Sequence, residues 1–292
     1  MKTSSPRRSV SVAMFPAVPL MIARSALFGV ARANRKQMLQ GHTIAAADPL
    51  GVSLLYSGPQ LSQYHALLWQ AIIQAATRAK VADDQMFSVS ADALLRAMGG
   101  QGNDTKQRGR LWGWLKDLTA ARVELTTKTQ GYVGPLVFEV ARDTISKQVA
   151  VRLNPKLMRL LDSEVLRNDL ARKAALGRNM LALWLHDYIA THLRPPPVAV
   201  VDLRDLCGSP LELPQFRQRL RAAMDLLAKG DDPLVLSWSL DQSDRLIVKK
   251  QSTRVIVLPA EVARAKQLGI QHQDRKWDGI QKARAQRARV AL

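Results

Sequence analysis

The 292-residue sequence contains a single cysteine, Cys207. One cysteine cannot form an internal disulfide, and it excludes a cysteine-rich zinc module. Long apolar runs are missing too. No stretch of about 18 uninterrupted apolar residues exists, so a transmembrane helix is not supported. Residues 9–23, behind Lys2, Arg7 and Arg8, loosely imitate a signal peptide. Pro16 and Pro19 interrupt that run and Arg24 closes it early, so the expected compartment is the cytosol. The histidines are His42, His65, His186, His192 and His272, and none has HExxH spacing. No His/Cys/carboxylate cluster shows metal-ligand spacing, so neither a metal nor a cofactor is expected. The Gly99-Gly100-Gln101-Gly102 loop lacks the Lys-Ser/Thr of a phosphate-binding loop and reads as a hinge. No histidine pair with a tyrosine marks a DNA-nicking site. The chain is expected not to be an enzyme.

Acidic residues are scarce: 24 Asp+Glu face 43 Lys+Arg, for a formal net charge of +19. Such a surplus points to a polyanion, nucleic acid ahead of an anionic membrane. Its placement is uneven. Residues 1–42 hold seven basic residues (Lys2, Arg7, Arg8, Arg24, Arg32, Arg35, Lys36) and no acid. Residues 251–292 hold nine basic and three acidic residues. The two ends thus carry 13 of the 19 charges, and 43–250 carries +6. Basic tails attract phosphates by releasing condensed counterions. Solvated tails around an ordinary body are the plainer alternative.

The hydrophobic fraction of 47% is enough for a packed core. Residues 43–57 read as two short strands around Asp48-Pro49-Leu50-Gly51. Residues 61–80 read as a helix that Ser62 caps. A short strand at 86–89 follows, then a helix over 91–98 that Gly99-Gly100 ends. Asp104 opens another helix to about Ala121, with Leu111, Leu115 and Leu118 on one face. The β-branched segments 123–129, 133–141 and 145–153 predict a hairpin or three-stranded sheet. The order then repeats. A long helix is predicted over 174–192, a strand at 198–201, a short helix at 202–207 ended by Gly208, and a longer helix from Pro214 to Lys229. Strands at 234–240 and 245–250 close the series. Leu68-Trp69 corresponds to Leu183-Trp184, and Gly99 to Gly208.

Helix, strand, short helix, longer helix and hairpin is the order of a winged helix-turn-helix. The expected fold is therefore α+β, a tandem of winged-helix domains with basic terminal tails. Its expected divisions are a partly disordered basic leader at 1–42, a first winged-helix domain at 43–153, a second at 154–250 and a basic extension at 251–292.

In such a unit the second helix enters the major groove and its N-terminal residues face base edges. In the first half those candidates are Asn103, Thr105, Lys106, Gln107 and Arg110. Lys106 and Arg110 lie one turn apart, away from the leucine face. In the second half they are Gln215, Arg217, Gln218 and Arg221. Arg217 and Arg221 lie opposite Phe216, Leu220 and Met224. Arginine reads guanine, and Asn or Gln reads adenine, with paired hydrogen bonds. Strands 123–141 and 234–250 would be the wings, offering Lys128, Arg142, Lys147, Arg245, Lys249 and Lys250 to phosphates, which hold register without specifying sequence. A solvated basic face is the alternative for each.

These residues carry a resemblance. Arg24-Ser25-Ala26-Leu27-Phe28 stands ahead of Arg35-Lys36, and Tyr56-Ser57-Gly58 precedes Leu68-Trp69-Gln70. Leu176 through Tyr188 leads to Pro195, and Leu206-Cys207-Gly208-Ser209 precedes the arginine-rich helix. Over roughly 24–250 the chain resembles TrfA-type plasmid replication initiators. The resemblance implies a double winged-helix protein that binds directly repeated origin sequences (iterons) in double-stranded DNA and assists opening of a neighbouring A+T-rich region. It further implies recruitment of the host replicative helicase and sliding clamp, DNA binding by monomers, restraint of replication by dimers, and no ATP hydrolysis. Of a clamp-binding peptide near the N-terminus, Ser11-Val12-Ala13-Met14-Phe15 keeps only the aromatic end. The alternative reading is a winged-helix transcriptional regulator at a promoter; a DNA-cleaving recombinase is a third.

Overall fold

The structure is a computed structural model that describes residues 17–31, 37–46, 53–81, 84–102, 104–126, 131–154, 157, 165–167, 169–192 and 194–251. Its first elements are β1 (Ala17–Pro19), α1 (Leu20–Ala23), β2 (Phe28–Gly29), β3 (Met38–Thr43), β4 (Ser53–Pro59) and β5 (Leu61–Ser62). Next come α2 (Gln63–Arg78), β6 (Met86–Ser90), α3 (Ala91–Ala97), α4 (Thr105–Ala120), β7 (Arg122–Thr126), β8 (Gly131–Pro135), β9 (Val137–Arg142) and β10 (Gln148–Leu153). After β11 (Val165–Arg167) the chain forms α5 (Leu170–Ala175), α6 (Met180–Ala190), β12 (Val198–Ala199), α7 (Val200–Leu206), α8 (Leu213–Leu227), β13 (Val235–Leu240) and β14 (Arg245–Lys250).

The architecture is mixed α+β, and one arrangement occurs twice. In the first half α2, β6, α3, α4 and the β9–β10 hairpin come in that order, with β7 and β8 inserted before the hairpin, and the sheet order is β6-β10-β9. In the second half α6, β12, α7, α8 and β13–β14 do the same, with sheet order β12-β14-β13. Both sheets are antiparallel throughout. The correspondence extends to single residues. A constant offset of 109 positions relates Ser90 to Ala199, Leu94 to Leu203, Gly99 to Gly208, Arg108 to Arg217, Leu111 to Leu220 and Leu118 to Leu227. Gly99 and Gly208 both take positive φ, +84° and +64°. That conformation favours glycine and ends each short helix.

Local chemistry explains the helix starts. Ser90 Oγ accepts from Ala93 N at 3.4 Å at the start of α3, and Asp104 Oδ1 accepts from Lys106 N at 2.7 Å at the start of α4. Each bond satisfies an amide that the first helical turn leaves without a partner. The stretch 174–192, predicted as one helix, is two. Asn179 Oδ1 caps α6 by accepting from Ala182 N at 3.0 Å, and Gly177 ahead of it has φ +67°. A left-handed glycine followed by an Asn cap stops one helix and starts the next.

The strands between α4 and β11 also depart from the prediction. They divide between two sheets. β7 and β8 join β3 and β4 in a four-stranded antiparallel sheet, β3-β4-β7-β8, whereas β9 and β10 pair with β6. The break falls at Pro135-Leu136. Leu136 and Val137 are consecutive and both buried, which the alternation of a single strand does not permit. The first-half hairpin that matches β13–β14 is therefore β9–β10, not 123–141. β3 begins at Met38, and the predicted turn at Asp48–Gly51 lies outside the described residues.

Residues 22–29 belong to the core although their neighbours are basic. Ile22, Leu27 and Phe28 are buried, and Val30 N donates to Cys207 O at 3.0 Å. Arg24 is buried as well. Its Nε donates to Thr191 Oγ1 at 2.9 Å and its Nη2 to Thr191 O at 2.7 Å. That charge serves the fold rather than the leader's attraction for phosphates.

The buried apolar residues form one cluster that runs through both halves, with Trp69 of α2 and Trp184 of α6 fully inside. A buried polar group crosses it. Lys173 Nζ lies 2.5 Å from Asp187 Oδ2, to which Gln70 Nε2 also donates at 2.8 Å. Burial opposes charge on Asp187, but the Lys173 ammonium and the neighbouring His186 outweigh it and hold the carboxyl at about 2. Among the described residues no helix is long and apolar enough to cross a membrane.

Candidate nucleic-acid interface

α4 and α8 each bury one face and expose the other. α4 buries Leu111, Leu115 and Leu118. Thr105, Lys106 and Arg110 are exposed at its first turns, and Gln107 is half-buried near Gly100. Gly109 and Gly113 lie on the same outward side, and a Cβ added at either would meet nothing within 4 Å. α8 buries Phe216, Leu220, Ala223, Met224 and Leu227, while Gln215, Gln218 and Arg221 are exposed. The predicted readers Thr105, Lys106, Arg110, Gln215, Gln218 and Arg221 therefore all reach solvent. Asn103 and Lys128 lie outside the described residues.

Arg217 is placed differently. Its Nε and Nη2 donate to Asp244 Oδ1 and Oδ2 at 3.0 and 2.7 Å. The fork-on-carboxylate geometry fixes the guanidinium's direction. Asp244 closes the β13–β14 turn, so the pair ties the helix to its own hairpin. The hydrogen bond from Arg217 is the main reason that the Asp244 carboxyl sits below its ordinary range. Arg108, the residue at the equivalent position in α4, is held in the same way. Its Nε and Nη2 donate to Asp92 Oδ1 and Oδ2 at 2.7 and 3.2 Å.

The strand residues separate in the same manner. Arg245 and Lys249 are exposed, and Arg245 also pairs with Asp241 at 2.8 Å. Lys250 turns inward. Its Nζ donates to Ala190 O at the end of α6 at 3.3 Å, and burial pushes its ammonium down to about 8. In the first half Arg142 and Lys147 are exposed, and the Arg142 guanidinium lies over the Trp112 ring at 4.7 Å. Arg219, absent from the predicted readers, is exposed and occupies the position that Arg110 has in α4. The 109-residue offset is the signal in the sequence that pairs them. Among the described residues no three His, Cys, Asp or Glu side chains are grouped to hold a metal.

No family model matches the sequence, and no curated protein matches it either. Solved structures do resemble the fold. A selenomethionine structure of domains 2 and 3 of RctB aligns with a TM-score of 0.54 at 9% identity, covering 77% of this chain and 95% of that one. Domains 2 and 3 of RctB share this fold. A second structure of the same two domains gives 0.50 at 9% identity, covering 76% of this chain and 95% of that one.

Proposed function

We propose that this chain is a plasmid replication initiator that binds direct repeats in an origin through two winged-helix units. The observation that carries the reading is the doubled unit, in which Lys106 and Arg110 of α4 and Gln215 and Arg219 of α8 face outward at equivalent positions. A winged helix-turn-helix has this element order and lays its second helix in the major groove. The likeness to RctB domains 2 and 3 supports the fold of a replication initiator. The units are assigned to 43–153 and 154–250, with residues 22–29 joined to their common core. Thr105, Lys106, Gln107, Arg110, Gln215, Gln218 and Arg221 are the proposed base readers, with Asn103 outside the described residues and Arg217 also held by Asp244. Arg142, Lys147, Arg245 and Lys249 are the proposed phosphate contacts. The extension at 251–292 adds attraction without sequence preference. Helicase and clamp recruitment, and exchange between monomer and dimer in the cytosol, come from the TrfA-type resemblance and belong to the proposal. The protein is assigned no catalytic step.

The test is a footprint of the full chain on DNA flanking its own gene. Protection of several tandem direct repeats is the expected result. A single protected inverted repeat would move the reading to a promoter-binding regulator, and no protection at low salt would end it. Removing 251–292 should lower affinity for every DNA and flatten the salt dependence, because fewer counterions are released. An unaltered salt slope would show that the extension leaves phosphates alone.

A further inference from the structure

The two hairpin tips are built alike and present opposite chemistry. In β9–β10, Asp143 Oδ1 accepts from Ile145 N at 2.8 Å and from Ser146 N at 3.3 Å, and Oδ2 accepts from Ser146 Oγ at 2.6 Å. Lys147 closes the turn at φ +57° and its carbonyl accepts from Ala91 N at 3.0 Å. In β13–β14, Asp241 Oδ1 accepts from Ser243 N and Arg245 N, both at 2.9 Å. Asp244 closes that turn at φ +54°, and its carbonyl accepts from Val200 N at 3.0 Å. The second tip, Asp241-Gln242-Ser243-Asp244, is polar and acidic, and its carboxylates are taken up by Arg245 and Arg217. The first tip lifts an isoleucine into water between two cations.

Ile145 is 92% exposed, the most exposed large apolar side chain among the described residues. Turn positions ordinarily carry Gly, Asn, Asp or Ser, and among the described residues no core contact accounts for this side chain. The Asp143 hydrogen bonds hold the turn below it. Arg142, stacked over Trp112 of α4, and the bond from Ala91 to Lys147 hold the hairpin beside the helix pair. An apolar point held on a hydrogen-bonded turn and flanked by Arg142 and Lys147 is complementary to a base step between two phosphates.

We infer that Ile145 is a wedge that enters a base step from the minor groove while Arg142 and Lys147 hold the flanking phosphates. Proteins that bend DNA insert Ile, Leu, Phe, Met or Pro between bases, unstacking them and kinking the duplex by about 20–90° toward the major groove. Pyrimidine–purine steps such as TA open most readily. The first unit would therefore deform the duplex as it binds, and the second, with its acidic and tethered tip, would not. The inference rests on the DNA-binding reading above.

The test uses the full chain and a short mixed-sequence duplex containing TA steps, with a fluorescent base analogue beside one step and a donor–acceptor dye pair on the ends. Binding is followed by anisotropy, unstacking by the analogue and bending by energy transfer. Wild type is expected to bind, brighten the analogue and bring the ends together. Ile145→Ser should bind within about threefold of wild type, a small change in free energy, yet lose brightening and bending. Ile145→Leu should keep both. Because Ile145 is exposed, all three should show the same thermal unfolding. If wild type fails to bind any duplex, the DNA-binding reading falls and the wedge with it. If wild type binds and Ile145→Ser bends DNA as well as wild type does, the wedge alone is overturned. If Ile145→Ser changes the sedimentation of the protein without DNA, the tip is a protein contact, and that also overturns it.

Discussion

Arg108 and Arg217 stand at equivalent positions of α4 and α8, and each is gripped by a carboxylate through both arms of its guanidinium. The carboxylates come from different elements. In the first half it is Asp92 on α3, and the hairpin position that matches Asp244 is Lys147. In the second half it is Asp244 on the hairpin, and the α7 position that matches Asp92 is Val201. One geometric demand, an arginine held flat at the flank of the second helix, is met by a charge placed on either of its two neighbours. Both arginines are therefore braces that orient the helix within its unit. The exchange also sets the hairpins apart: the first is cationic and tied to the helix through Arg142 on Trp112, the second tied through its own acid.

The largest expected effect concerns what the halves share. Lys173, Asp187 and Gln70 join α5, α6 and α2 in one buried group. Asp187→Ala leaves a buried ammonium without its partner and should cost about 3–5 kcal/mol. Urea unfolding checks this, with Trp112 and Trp114 reporting the first half and Trp238 the second. One coincident transition is expected, shifted down in both halves; separate transitions would break the picture of a common core. The pair also has a pH signature. The folded carboxyl, at about 2, lies below its ordinary value of about 4. Its contribution is fully present above about pH 4 and is lost as pH falls through about 2. Asp187→Ala should abolish that acid-side loss.

The next effect separates readers from braces. Arg110→Ala and Arg221→Ala should each weaken binding to the cognate repeat by about 1–3 kcal/mol, the worth of a base-reading contact. Both should relax preference at one base position. Gel shifts against single-substituted repeats measure this. Equal losses at every substituted base would reduce the two arginines to phosphate contacts. Arg217→Ala should act mainly on the fold's stability, which urea unfolding separates from DNA affinity.

A smaller effect tests the exchange of carboxylates itself. Asp92→Val in the first half should lower the urea midpoint by stranding Arg108. Adding Lys147→Asp should restore part of the loss by rebuilding the second half's arrangement in the first. A double mutant no better than the sum of its parts would show that the two hairpins place that residue differently.

The doubled order of elements was legible in the sequence because Ser90, Gly99, Asp104 and Gly208 are local signals, each acting within a turn of itself. The apolar faces of α4 and α8 were legible from spacing alone. What escaped depends on distant partners. Pro135-Leu136 reads as part of a strand until Leu136 must be buried in consecutive register with Val137. Arg24 and Lys250 read as tail and wing charges, but Thr191 and the carbonyl of Ala190, remote in sequence, draw them inward. Arg217 reads as an outward base contact, and its pairing with Asp244 on the hairpin is invisible in the sequence. Ion pairs across elements leave no periodic trace. The break at Gly177 and Asn179 is the exception: its signal is local, and the long apolar run that follows obscured it.

The smallest effect concerns the outward face of α4. Gly109 and Gly113 sit in the middle of a helix, where each costs roughly 0.5–1 kcal/mol relative to alanine. Neither has positive φ, and nothing crowds a Cβ at either site. The fold gives no reason for glycine there. α8 carries Gln218 and Ala222 at the matching positions and forms a helix without that cost. Gly109→Ala should therefore stabilise the protein by up to about 1 kcal/mol in urea unfolding. If α4 lies against a DNA surface, the added methyl should hold it off and weaken binding, while Gln218→Ala at the equivalent place should remove a side chain without adding bulk. Higher stability with lower DNA affinity in Gly109→Ala marks the glycine as a point of close approach. Higher stability with unchanged affinity would mean that α4 meets DNA along Lys106 and Arg110 and that the two helices dock at different depths.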